Sequence, residues 1–318
     1  MAYIELYNSN IQKINQFLAE ASLVLSPNDL QRLEIELKSL YDIQEGYLEA
    51  EAFILGRTIS RPIIVNNPEV ERFVLLGSIT DSNTVEALDI LVTSLKEEEI
   101  WNDLVAVYPF VLGDTAASPR LNLKDVDLYR INRFGNFTYD NGIAFDGESY
   151  GDTTINLSEV LTEPNPNITI MINSDNTPES LSSYEYGVLE IVDLLPNGVR
   201  FVASDIDGNS RDINLRTESV NTLNVDANGI YSSNKNTDSE STSVFKNGEL
   251  FYNYTSGGVL PNANLLIGAV LNKDGETETI NGYSVQKVGY FSVGNALSSE
   301  KLNIYHTIIN DFKNRLGR

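Results

Sequence analysis

Residues able to do chemistry are few in this chain of 318 residues. It has no cysteine and a single histidine, His306. Thiolate nucleophiles, disulfides, zinc–thiolate sites and histidine-rich metal centres are therefore excluded, and catalysis is left to carboxylates, hydroxyls and lysines. A Ser–His–acid triad would have to use His306, which falls beside the apolar stripe of a C-terminal helix, where a surface or half-buried structural histidine is expected rather than a general base. Glu190 and Asp193 stand three apart, on opposite faces of a strand, and lack the Glu-x-Asp-x-x-Glu spacing that brings a glycosidase's acid and nucleophile into one cleft. Asp205, Asp207 and Asn209 place oxygens at alternate positions as a calcium loop does. The rest of that motif fails, because its sixth position is Ser210 instead of glycine and its twelfth is Arg216 instead of a bidentate glutamate. A hairpin turn is expected there, with calcium as the lesser reading and no other cofactor. Phosphate-cradling GxxxxGK[ST] and GxGxxG loops and the HExxH motif are absent. No catalytic residue is assigned and the chain is expected not to be an enzyme. Its sixteen tyrosines suit a sugar-binding platform, but strands and rims use tyrosine equally, so no carbohydrate-binding residue is assigned.

The elements that would position such residues change character near residue 100. Before it, Leu, Ile, Glu and Lys recur at helical spacing; after it come short alternating runs rich in Val, Tyr, Thr and Asn, until a last helical stretch. The expected organisation is a mainly helical attachment and oligomerisation region over 1–100, then a sandwich with a C-terminal helix over 101–318. Acidic residues number 45 against 22 basic, a formal net charge of −23, which disfavours nucleic acid and anionic membrane surfaces as partners. No basic segment followed by an apolar one opens the chain, and no run of about 18 apolar residues occurs, so neither export nor membrane insertion is expected.

Ser26-Pro27-Asn28-Asp29 makes a helix start, and Leu30, Leu33, Leu37, Leu40, Gln44 and Tyr47 follow at a/d spacing, a stripe that packs on its own domain or, as the lesser reading of the pattern alone, holds a homo-oligomer together, preferably a trimer. Residues 62–65 and 73–76 are apolar runs separated by Asn66-Asn67-Pro68, which predicts a small hairpin. Asn83 and Glu86 predict the start of a helix whose face is Val85, Leu88, Val92 and Leu95. Strands are expected at 105–111, 168–172, 187–192, 199–203, 212–216, 265–270 and 285–293. Tight hairpin turns are expected at Asn197-Gly198, Asn247-Gly248 and Asn281-Gly282, and a mobile surface loop over 231–243, where Ser, Asn and Thr dominate. Ser298 is the expected cap of the last helix, with Leu297 stapled to Leu302 and a stripe continuing through Tyr305, Ile309, Phe312 and Leu316. Short strands joined by turns without alternating helices define a mainly β chain, an antiparallel sandwich or jelly roll with an α-helical N-terminal region and a C-terminal helix.

From about residue 84 onward the sequence resembles a module of tailed-bacteriophage virion proteins that carries a laminin-G-like, concanavalin-type lectin sandwich. The matching segments are Leu91-Val92-Thr93-Ser94-Leu95-Lys96, Ile100-Trp101, Tyr108-Pro109-Phe110-Val111, Asn122-Leu123-Lys124-Asp125, residues 145–153, 245–250 and 266–269, and Tyr290-Phe291-Ser292-Val293-Gly294 followed by Ala296-Leu297-Ser298. The family pattern has Gly-Gly and His-Lys where this chain has Leu112-Gly113 and Pro119-Arg120. The resemblance implies a structural part of a phage particle: a fibre or appendage subunit that displays the sandwich to a host-surface glycan. Alternatives are an assembly component (head fibre, capsid decoration, ring or collar) that uses the sandwich as a protein interface, and, less favoured, a polysaccharide depolymerase. Other virion proteins would be its partners, and the virion, assembled in bacterial cytoplasm, its location.

Overall fold

The computed structural model describes residues 65–113, 118–139, 142–161, 165–174, 184–192, 195–203, 209–214, 220–224, 226–235, 241–255 and 259–318. The chain divides into two units, Met1–Pro62 and Ile63–Arg318, and every described residue belongs to the second. The stripe formed by Leu30, Leu33, Leu37, Leu40, Gln44 and Tyr47 lies outside the described residues.

Helix α1, Pro68–Gly77, occupies the segment expected to be the second arm of a hairpin. The physical reason is local. Asn67 is extended at the cap position, Pro68 supplies a preset φ in the first turn, and Glu69 and Glu71 complement the positive end of the helix. The same Asn-Pro pair can open a turn or a helix, and Val70, Phe73 and Gly77 bury one helical face. Helix α2, Ser82–Glu97, is capped by Asp81, whose carboxylate accepts from the Thr84 amide at 2.9 Å, two residues before the expected Asn83. From α2, Asp89 reaches back to accept from the amides of Asn66 and Asn67 at 3.0–3.2 Å and from both their side chains. Burial pushes its pKa up, and the hydrogen bonds from Asn67 and Asn66 outweigh that and hold it below the usual carboxylate value.

The strands in chain order are β1 Leu104–Tyr108, β2 Asn132–Phe134, β3 Thr138–Tyr139, β4 Ile143–Ala144, β5 Tyr150–Asn156, β6 Pro166–Ile172, β7 Tyr186–Val192, β8 Leu195–Val202, β9 Asn209–Asn214, β10 Val220–Leu223, β11 Gly229–Lys235, β12 Ser241–Lys246, β13 Glu249–Thr255, β14 Asn264–Ile267, β15 Val270–Asp274, β16 Thr277–Asn281 and β17 Lys287–Asn295. A short helix, α3 Leu157–Val160, follows β5, and α4 Ser299–Arg315 follows β17. Among the described residues one sheet runs β13-β12-β11-β6-β17-β4-β3 with β1 also on β17. The other runs β10-β9-β8-β7-β14-β5-β2 with β15 joining β7 and β16. These pairings are antiparallel except for β15 beside β7, which is parallel.

The sheets form a sandwich because their strands alternate. Ile168, Ile170, Ile172, Phe291 and Val293 of the first sheet meet Ile155, Tyr186, Val188, Phe201 and Leu265 of the second in one core. The intervening Met171 and Tyr290 turn the other way and join a second core with α1, α2 and α4, through Phe73, Leu88, Leu302, Tyr305, Ile309 and Phe312. The first sheet is therefore covered on both faces. The composition shift near residue 100 falls inside this second core, where Ile100, Trp101 and Leu104 pack with α2.

The C-terminal helix starts as its sequence predicts: Ser298 Oγ accepts from the Lys301 amide at 3.2 Å, and Leu297 and Leu302 are both buried. Asn247-Gly248 makes the expected two-residue turn, between β12 and β13, with both φ values positive (54° and 88°). Asn197-Gly198 does not. It lies within β8, with Gly198 opposite Leu189, and an added Cβ there would meet the Val188 carbonyl at 2.1 Å, so this glycine serves strand approach. Asn281 ends β16, and five residues follow before β17. The run at 265–270 is cut by Gly268 (φ 80°), whose Cβ would strike the Phe145 ring at 2.2 Å, so it becomes β14 and β15. Of the expected loop over 231–243, residues 231–235 belong to β11 and 241–243 to β12, with Ser232, Ser233 and Asn234 buried, and residues 236–240 lie outside the described residues. Their polar groups are tolerated inside because each of Ser232 and Asn234 has side-chain or backbone partners there.

Candidate functional site

Strand β2 is the last of the second sheet and bonds to β5 alone among the described residues. Around it lies an open cleft of about 400 Å³ lined by Arg120, Asn132, Arg133, Gly135, Asn136 and Phe137. Arg120 comes from a single 3₁₀ turn, Ser118–Arg120. Ser118 anchors that turn by donating to the Val111 carbonyl (2.9 Å) and accepting from the Gly113 amide (2.8 Å). Arg120 and Ile131 then bind each other twice: Arg120 Nε donates to the Ile131 carbonyl and the Ile131 amide donates to the Arg120 carbonyl, both at 2.9 Å. Ile131 sits in the sandwich core, so Arg120 is tied to a rigid element.

Arg133 lies two residues on. Its guanidinium stands over the Phe137 ring at 5.9 Å and the Tyr139 ring at 5.5 Å. Burial lowers its pKa below the usual arginine value, and the neighbouring Arg120 lowers it further. The Tyr139 hydroxyl is buried without a partner. Between Arg133 and Phe137 the chain turns at Gly135 (φ 87°), where a side chain would come within 2.9 Å of the Ser149 Cα.

On the alternate positions of the same strand the site is aromatic. Phe134 is 46% exposed and stacks on its cross-strand partner Tyr150, with ring centroids 4.7 Å apart and planes 11° from parallel. Tyr283 continues the group at 6.1 Å. Beside it Asn132 faces Asp152, whose carboxylate already accepts from the Thr154 amide and from Asn264. The arrangement offers a flat apolar surface, free amides at Asn132 and Asn136, and two guanidinium groups. An apolar ring, amides and guanidinium groups are the kinds of group that can contact a polar ring.

The sequence marked neither arginine as functional. The available signal was the scarcity of basic residues combined with a turn, Asn132–Asn136, that carries two amides and a glycine. Nor did the tyrosine count separate core from surface. Tyr108, Tyr186, Tyr231, Tyr290 and Tyr305 are fully buried, whereas Tyr150 and Tyr283 reach the surface.

His306 is fully buried, deeper than the surface or half-buried place expected for it. Its Nδ1 accepts from the Gly248 amide at 2.7 Å, which leaves the proton on Nε2, facing Ser232 Oγ at 2.7 Å. Ser232 then donates to Thr169 (2.6 Å), and Thr169 to Asn167 (3.1 Å). The imidazole donates to the serine, the reverse of a general base, and no carboxylate orients it. Burial lowers its pKa to about 4. Glu190 is engaged by Lys273 at 3.6 Å and by the Asn262 amide at 2.9 Å. Asp193, Asp205 and Asp207 lie outside the described residues, and Asn209 opens β9. Among the described residues no cluster of three or more acidic or histidine side chains is placed to hold a metal ion.

No family model and no curated protein matches this chain. Among solved structures it is similar to the binding domain of botulinum neurotoxin serotype D (13% identity, TM-score 0.43), with 66% of this chain covering 51% of that one. It is similar also to domain 4 of AbnA, an extracellular arabinanase from Geobacillus stearothermophilus in complex with arabinotriose (12% identity, TM-score 0.43, 64% of this chain and 98% of that one). A third is the Trypanosoma rangeli sialidase (12% identity, TM-score 0.43, 70% and 39%). The chain thus spans about half the length of the neurotoxin domain it matches.

Proposed function

We propose that this chain is a structural protein of a phage virion, a fibre or appendage subunit whose sandwich attaches to a host-surface glycan at the β2 edge and breaks no bond. The particle assignment rests on the sequence resemblance from residue 84 onward. Glycan attachment rests on one observation, the exposed Phe134 stacked on Tyr150 beside an amide-lined cleft. A pyranose presents an apolar C–H face and a rim of hydroxyls, and this surface supplies a flat ring for the first and Asn132, Asn136 and Asp152 for the second. Non-catalytic action is supported by the direction of the His306–Ser232 hydrogen bond and by the ion pair that occupies Glu190.

The test is a host-glycan array probed with the full chain and with Phe134→Ala, alongside labelling of virions with an antibody to the chain. Particle labelling and saccharide binding that Phe134→Ala weakens are the expected results. Binding that is indifferent to Phe134→Ala would overturn the assignment of the site, and unlabelled particles would overturn the virion role. A second reading, an assembly component with the sandwich as protein interface, is favoured by Leu75 and Leu76, which leave 61% and 43% of their surface exposed at the end of α1. In that case α1 substitutions, and not Phe134→Ala, would block incorporation into particles.

A further inference from the structure

Resting on that reading, we propose that the β2 cleft is an anion subsite, in which Arg120 and Arg133 take the carboxylate or phosphate of an acidic saccharide attached at the β2 edge. The argument starts from what the two arginines lack. Neither forms an ion pair among the described residues, although the chain carries a formal charge of −23 and Arg72, Lys96, Arg130, Lys273, Lys301 and Arg315 are all paired with carboxylates. Arg120 spends only its Nε, on the Ile131 carbonyl, so both terminal amino groups remain for a ligand. Arg133 is held by rings alone, and its whole planar fork of N–H donors is uncommitted. Two like charges lining one half-buried cleft repel each other. An oxyanion between them would remove that repulsion and accept from both forks.

The surroundings fit a sugar-borne anion better than a free ion. Phe137 lines the same cleft and gives it an apolar wall beside the two arginines. Asn132 and Asn136 add amide donors and acceptors at the rim for hydroxyls. Asp152, the carboxylate across from Asn132, is already engaged by Thr154 and Asn264.

The experiment is calorimetric titration of the full chain with a panel of host-surface oligosaccharides: uronate-bearing, phosphate-bearing, and each in its neutralised form, carboxyl-reduced or dephosphorylated. An acidic form should bind at least about tenfold more tightly than its neutral counterpart, the effect of one charge-assisted hydrogen-bonded contact. Arg120→Gln and Arg133→Met should each remove that preference, bringing the affinity of the acidic form down to that of its neutral counterpart. Arg133→Lys, which keeps the charge and loses the fork, should fall between. Phe134→Ala should weaken acidic and neutral forms alike. The uronate and phosphate arms identify which oxyanion is read. Equal affinity for acidic and neutral forms, or a preference that survives both arginine substitutions, would overturn the anion subsite and leave glycan attachment standing. Failure of every saccharide to bind would overturn both. Arg120→Gln carries the test if Arg133→Met does not fold.

Discussion

Replacing Glu185 by glutamine should turn a broad pH profile of stability into one that climbs. Glu185 precedes β7 and is fully buried; its Oε2 accepts from the Ala203 amide at 2.7 Å while Oε1 has no partner. Burial raises its pKa from 4.5 to about 8, against the smaller opposing effect of the backbone hydrogen bonds. A carboxyl whose folded pKa lies above its unfolded value is held neutral by the fold, so its contribution is fully present below pH 4.5 and is lost as pH rises through about 8. At about 1.4 kcal/mol per pH unit the full loss is about 5 kcal/mol, a large share of an ordinary domain's stability. His306 works in the other direction. With a folded pKa of about 4 against 6.5 unfolded, its contribution is present above pH 6.5 and is lost as pH falls through about 4, for about 3 kcal/mol. Between pH 4.5 and 6.5 the two offset each other, and the wild-type profile from these groups is nearly flat there. Glutamine keeps the acceptor for Ala203 and, like the protonated acid, leaves a polar atom unpaired. Urea denaturation from pH 4 to pH 9 should therefore show Glu185→Gln close to wild type at pH 4 and more stable by about 3–5 kcal/mol at pH 9. Parallel profiles, with the variant offset by the same amount at every pH, would refute the reasoning, because Glu185 would then not be a carboxyl kept neutral by burial.

Removing Leu302–Arg318 should unfold the sandwich unit: Leu302, Tyr305, Ile309 and Phe312 are each at most 1% exposed, and burying each contributes about 1.5–3 kcal/mol. A truncated chain that melts cooperatively at the parent temperature would contradict this. If the N-terminal stripe holds a homo-oligomer, Leu37→Asp should dissociate it and Gln44→Leu should raise its melting temperature while loosening its stoichiometry. Sedimentation decides, and a wild-type monomer at micromolar concentration would show that the stripe packs within its own chain.

Where one physical signal dominated, the sequence was legible. The runs expected at 168–172 and 285–293 survive as β6 and, from Lys287, β17 because both flank the sandwich core, and the Leu297–Ser298 start of α4 is a cap whose donors and apolar staple are adjacent in the chain. Legibility failed where one residue type serves two physical ends. Asn66-Asn67-Pro68 opens a helix as readily as a turn, and the exchange that decides it, with Asp89, lies 22 and 23 residues away. Ser232 and Asn234 look like loop residues until Thr169, His306 and Leu297 supply their hydrogen bonds from 63 to 74 positions away. The candidate site failed for the same reason: Phe134 and Tyr150 are ordinary strand residues until the β2–β5 register stacks them.

An arginine on an edge strand has a simpler use, which is to keep another strand from pairing there. Arg133 does not fit it. An edge-protecting charge gains by standing out in water, whereas this guanidinium lies across two rings with its pKa lowered by burial and by a second arginine beside it. Two rings offset the cost of that burial through cation–π contact, and no carboxylate among the described residues pairs with the guanidinium. The acidity itself does not argue against an anionic ligand. At physiological ionic strength, charges more than about 8 Å apart are largely screened, so remote carboxylates scarcely oppose an oxyanion seated between two guanidinium groups at contact distance. They would instead discourage loose adhesion of acidic polymers over the rest of the surface, leaving the β2 cleft as the place where such a polymer is held.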